Sequence, residues 1–204
     1  MFDLPKSTEI RKPIHKKLIY QKFASELSGD RKNKFDADIS RIIITNEISE
    51  ASVNIRTTED ISSIFVVQIE LKAKEYSDRD IILISKLFGQ RLLLVLHYED
   101  KYQLAIYETK LLKSEWQTED EINLRVSGLD MTVVWESLVV QVSGIEVEEG
   151  NSLGEQIVLE GEREKLQTKI NVLEQRARKE AQSKKKFELF QEISRCKEEL
   201  ERLR

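Results

Sequence analysis

Between Ile64 and Lys72 apolar and polar residues alternate, so a strand would carry Phe65, Val67, Ile69 and Leu71 on one face. Val66, Gln68, Glu70 and Lys72 would share the other face. A carboxylate and a lysine two apart on one strand face is the local chemistry of metal-dependent nucleases: the acid holds a divalent ion, and the lysine steadies the attacking water or the phosphate. That chemistry also requires an upstream acid, for which Asp60 is the nearby candidate, and a strand, helix, strand order, which the following residues offer. The catalytic set would be Asp60, Glu70 and Lys72, with Mg or Mn as the only cofactor. A bland alternative stands beside it. An acid, any residue and a lysine recur by chance in a charged chain, and a solvated sheet face explains the pair without catalysis.

Other reactive side chains are sparse. His97 ends an apolar stretch, and the sequence places no serine, cysteine or acid to make it a base, so it reads as a core or edge histidine. His15 and His97 are the only histidines and Cys196 the only cysteine, so no zinc-ligand spacing and no internal disulfide is expected. The seven glycines form no Gly-x-Gly or phosphate-loop pattern, which argues against nucleotide cradling by backbone amides. Trp116 and Trp135 read as core or lid residues. Tyr20 and Phe23, on a basic N-terminal helix, suit core packing as well as base stacking.

The elements that must position these residues suggest an α+β domain. Leu18, Ile19, Phe23 and Leu27 mark one face of a helix starting near Pro13. Phe35 and Ile39 suggest a second short helix leading into a strand at Ile42 to Thr45. Further strands are expected at 64–71, 92–96 and 102–109, with another at 111–116. A helix from Asp78, as N-cap, to Phe88 separates the first two of these. Residues 129–142 have helical periodicity despite five valines that favour strands. The expected body is a mixed sheet of about five strands with flanking helices over residues 1–143. A glycine-rich, acidic linker follows at 144–154.

Residues 155–204 read as a helical coiled-coil tail. Leu159, Leu166, Ile170, Leu173 and Ala177 keep a one-sided apolar spacing, and Leu189, Ile193, Cys196, Leu200 and Leu203 repeat it. The two registers do not join as one heptad, so the chain must turn or slip between them. Isolated helices of this length are marginal in water. The seams are therefore expected to need a second apolar surface: the chain's own body, a second copy or another protein. Partner-binding candidates are Leu166, Ile170, Leu173, Leu189, Ile193 and Leu200. The stretch between the seams, Arg176, Arg178, Lys179, Gln182, Lys184, Lys185 and Lys186, is a candidate basic patch opposed by Glu180 alone.

Charge is distributed unevenly. Residues 1–34 hold nine Lys and Arg against four acids, and 151–204 hold thirteen against eleven. Of 33 cations and 37 acids in all, eleven and twenty-two then fall in 35–150, an acidic body between basic ends. Such asymmetry can orient a protein partner or nucleic acid. The longest aliphatic run, Leu92 to Leu96, falls far short of the ~20 residues of a membrane helix. The start has neither a basic nor an apolar signal region. A cytoplasmic protein with no membrane partner is expected.

Several segments carry a resemblance: Asp3 to Thr8, Ile69-Glu70-Leu71-Lys72, Ala105-Ile106-Tyr107, Glu115-Trp116, and Glu180-Ala181-Gln182 with Lys185, Lys186, Glu188 and Leu189. Together they resemble domain-of-unknown-function family 4391 over nearly the whole chain. The resemblance implies a bacterial or archaeal protein, in company with DNA methyltransferases and helicases of phage-defence loci. Two departures stand out. Phe88-Gly89-Gln90 replaces a proline-bearing loop, and Ser183 and Phe190 replace an aromatic and an asparagine in the tail.

The leading expectation is a non-enzymatic accessory or scaffold subunit of a DNA-modification or phage-defence complex, docking through its tail and needing no cofactor. A divalent-metal-dependent nuclease of restriction-endonuclease type is the alternative from a different class. A nucleic-acid-binding module acting through the basic ends is the third possibility.

Overall fold

The computed structural model describes residues 2–203. The chain divides into two compact units, one ending at Gly144 and one beginning at Ile145.

Six strands build the first unit: β1 (Glu9–Ile14), β2 (Ile39–Ser49), β3 (Ser63–Leu71), β4 (Arg91–Tyr98), β5 (Lys101–Tyr107) and β6 (Leu111–Lys113). They lie side by side in sequence order, every neighbouring pair antiparallel except β3 and β4, which are parallel. A parallel pair needs a crossover, here the segment containing α4 (Asp78–Ser85). The remaining helices of the unit are α1 (Lys16–Lys22), α2 (Asp30–Asp38), the single-turn α3 (Glu50–Val53) and α5 (Met131–Ser143).

The sheet therefore has six strands, one more than expected. The unexpected strand is β1, whose Arg11, Lys12 and Pro13 give no apolar alternation and whose residues are mostly exposed. Proline and charge are tolerated there because β1 pairs with β2 alone and forms an edge. Pro13 consequently belongs to a strand, and the first helix begins at Lys16 with Leu18 turned outward. Asp78 is the first residue of its helix and not the N-cap, a position held by Ser77 without a side-chain capping bond, and the helix ends at Ser85. The valine-rich stretch is helical, as its periodicity predicts. Its first turn is held by Asp130, whose side chain accepts from the Thr132 and Val133 amides at 3.0 and 3.1 Å.

The sheet is covered on both faces. Ile42, Val67, Ile69, Leu94 and Leu96 share one core with Ile19 of α1, Phe35 of α2 and Ile81 and Ile84 of α4. On the opposite face α5 covers the amino-terminal end of the parallel pair. There Arg91, the first residue of β4, lies over the Trp135 ring at 5.5 Å and pairs with Glu108 at 2.9 Å.

The second unit contains two long helices, α6 (Leu153–Lys179) and α7 (Ser183–Arg202). α6 opens on a capping box, in which Ser152 and Glu155 exchange hydrogen bonds at 3.3 and 2.8 Å. Ile170, Leu173 and Ala177 of α6 are buried against Ile193 and Cys196 of α7, with Leu166, Leu189 and Leu200 packed around them. Lys197 meets Glu174 at 2.8 Å, Lys169 meets Glu192 at 2.9 Å, and Arg163 reaches the Leu203 carbonyl at 2.7 Å. Only residues 180–182 connect the two helices, and Arg163, in the amino-terminal half of α6, reaches Leu203 just past the end of α7, so the helices form an antiparallel hairpin. The second apolar surface that each seam requires is the other arm.

Candidate functional site

A guanidinium, a carboxylate, an imidazole and a phenol meet at one end of the sheet, and strand register brings them together. Arg41 on β2 pairs with Glu70 on β3, Glu70 with His97 on β4, and His97 with Tyr102 on β5. Residues paired across neighbouring strands point to the same face, so a cation, a carboxylate, an imidazole and a phenol form one row. The row lies at the carboxyl ends of the parallel strands, the end that α5 leaves open. Ligands of parallel sheets characteristically gather at that end.

Within the row, the Glu70 carboxylate is held from two sides. Gln68 Nε2 donates to Oε1 at 2.5 Å, and Oε2 lies 2.8 Å from His97 Nδ1. Because an ionised carboxylate only accepts, the Nδ1 proton is the one directed at Glu70, and in the neutral imidazole Nε2 is the acceptor. Tyr102 stacks on the imidazole, with ring centroids 4.3 Å apart and planes at 16°. Burial, then the charges of Glu119 and Glu70, push the Tyr102 phenol above its ordinary value, so it remains a neutral hydroxyl at physiological pH. Next to the row, across β1, β2 and β3, lies a cleft of about 440 Å³ lined by Arg11, Pro13, Arg41, Ile43, Asn46 and Gln68, among others.

The expected Asp60, Glu70 and Lys72 set is not assembled. Asp60 is exposed and precedes the start of β3. Glu70 stands seven residues beyond Ser63, the first residue of that strand. At about 3.3 Å per residue the separation along the strand is roughly 23 Å, too far to share an ion. Lys72 lies just past the end of β3, where the alternation stops. Its Nζ donates to the Asp36 carbonyl at 2.6 Å and its backbone amide to the Asp38 carbonyl at 2.9 Å. Lys72 thus secures the end of α2 and leaves Glu70 to Gln68 and His97. Among the described residues no three His, Cys, Asp or Glu side chains are placed to hold a metal ion.

Sequence reasoning missed the pairing of His97 with Glu70. The signal was present in the expected strand, helix, strand order. With β3 and β4 parallel, Glu70 and His97 fall opposite each other once Ile64 is aligned with Arg91.

The hairpin is the second candidate. Ile170, Leu173 and Ile193, read as partner contacts, are each 5 % exposed or less and are spent within the hairpin, together with Leu166, Leu189 and Leu200. The outer surface of the hairpin instead carries Phe187 and Phe190, 63 % and 50 % exposed. They are three apart on α7 and so lie on neighbouring parts of one helix side. The cationic stretch from Arg176 to Lys186 surrounds the same end. Arg176, Lys179 and Lys185 line a groove of about 550 Å³ there together with Glu180, Glu188 and Glu192, and Arg178, Lys186 and Phe190 line another of about 310 Å³ with Glu174 and Lys197. Gln182 is the N-cap of α7. Cys196 is buried in the seam, as a small apolar residue would be.

Among the described residues no helix is long and apolar enough to cross a membrane. Comparison with curated proteins and with solved structures yields no match to this chain. The model of one protein family, Domain of unknown function (DUF4391), matches residues 2–200, and the chain belongs to that family.

Proposed function

We propose that the protein is a non-enzymatic accessory subunit: the six-stranded body is a scaffold, and the hairpin, a short antiparallel coiled coil, is the arm that docks. One observation carries this. The two seams satisfy each other, yet the turn end of the hairpin still exposes two phenylalanines immediately after a stretch of six cations and one acid. Exposed aromatic pairs that do nothing for their own fold mark interaction surfaces. The matching surface has apolar pockets for Phe187 and Phe190 within an acidic rim. A DNA methyltransferase or helicase of a phage-defence complex is the partner that the family resemblance suggests.

The test uses the full chain co-purified with its native neighbours. Phe187→Ser with Phe190→Ser should release the partner while the circular dichroism spectrum stays unchanged, because both side chains are already exposed. Charge reversal at Lys184, Lys185 and Lys186 should weaken capture and make it insensitive to salt. A complex that survives the double phenylalanine change intact would rule out docking through this end.

A further inference from the structure

The open end of the sheet face holds groups that the fold does not use. Arg41 is exposed, and among the described residues its guanidinium has no hydrogen-bond or ion-pair partner. The acids around it are engaged elsewhere: Glu70 with Gln68 and His97, and Glu9 with Arg11 at 3.7 Å. Arg41 is therefore the uncompensated charge of the cleft. At the other end of the row, His97 in its neutral form presents an acceptor, Nε2. The ring is oriented by the Glu70 carboxylate on its edge and by Tyr102 on its face. Two strand spacings separate Arg41 from His97, or about 10 Å. Between β1 and β3 the cleft has an apolar floor of Pro13 and Ile43.

We infer that this end of the sheet binds a small organic phosphate bearing a hydroxyl, of nucleoside monophosphate size. The phosphate sits on the Arg41 guanidinium, the cation that no acid compensates, and the hydroxyl donates to His97 Nε2. A guanidinium fork matches two phosphate oxygens at once. A cleft of about 440 Å³ is in the range of small-molecule sites. The distance of about 10 Å from cation to acceptor suits a ligand with its charge at one end and a hydroxyl at the other. A bare phosphate is too short to meet both. Gln68, fixed by its bond to Glu70, keeps its side-chain carbonyl for a second ligand donor.

The test is an NMR titration of the full-length protein, following the His97 imidazole signals, with uridine monophosphate, uridine, inorganic phosphate and acetate as probes. Uridine monophosphate should shift those signals saturably, and uridine at the same concentration should not. Arg41→Ala removes an exposed side chain without touching the core and should weaken binding about tenfold, the usual worth of one charged hydrogen bond. Glu70→Ala should leave the phosphate contact but abolish the preference for uridine monophosphate over inorganic phosphate. Equal binding of those two by the native protein would overturn the hydroxyl contact. Absence of any saturable shift, or binding indifferent to Arg41→Ala, would overturn the site.

Discussion

Glu70 Oε2 lies 2.8 Å from His97 Nδ1, joining two side chains 27 residues apart through the parallel register of β3 and β4. Each is partly exposed, with about a fifth of its side chain open to solvent. The pair is thus neither a sealed core contact nor a free surface ion pair. Its geometry fixes one imidazole tautomer, since the carboxylate cannot donate. Glu70→Ala should release that constraint. Nitrogen NMR of the imidazole should show Nδ1 protonated in the native protein and a mixture of tautomers in the variant. The loss of stability should be about 1–2 kcal/mol, toward the low side for a charged hydrogen bond because solvent reaches the pair. An unchanged tautomer would mean that Tyr102 stacking alone orients the ring.

The hairpin has its own apolar seam, so damage to it should be local. Leu173 is 5 % exposed and Ile193 likewise, both packed within the hairpin. Truncating either to Ala should cost about 2–5 kcal/mol of hairpin stability. Amide exchange would then rise across α6 and α7 while β3 and β4, whose residues are the most deeply buried, keep their protection. Loss of protection in β3 as well would show that the two units unfold as one.

Phe187 and Phe190 should behave in the opposite way. Each is at least half exposed, so replacement by Ser should change stability by no more than about 0.5 kcal/mol. Solubility should rise as the apolar patch is removed. A marked loss of thermal stability would place these rings in a structural role.

Much of the fold was legible because periodicity reports burial. The β3 and β4 segments read as strands since their apolar residues face packed helices, and the two tail seams read as helices since they face each other. β1 was illegible for the same physical reason: an edge strand with Pro13 and three charged residues buries too little to leave a pattern. The site fared less well. Local alternation placed Glu70 and Lys72 together, but the strand ends at Leu71 and a backbone carbonyl draws Lys72 away. Glu70 found His97 instead, through a pairing that spans a crossover and that no local spacing encodes.

Asp80 allows burial and ion pairing to be weighed against each other. It sits in the first turn of α4, is 1 % exposed, and accepts at Oδ1 from the Arg31 guanidinium at 2.8 Å while Oδ2 has no hydrogen-bond partner. Burial raises its pKa above the ordinary 3.8, Arg31 opposes this, and Asp38 adds to it; the net shift is upward. The folded protein therefore holds this proton more tightly than the unfolded chain does. The associated stability is complete below the unfolded value of 3.8 and is lost as pH rises through the raised folded value. Asp80→Asn cannot titrate, so its stability relative to the native protein should improve as pH is raised from about 3 toward 7. Comparing the two proteins at each pH cancels the other carboxylates, and urea midpoints provide the measurement. If the native protein instead gains on the variant as pH rises, the Arg31 bond outweighs desolvation and the pKa of Asp80 is depressed.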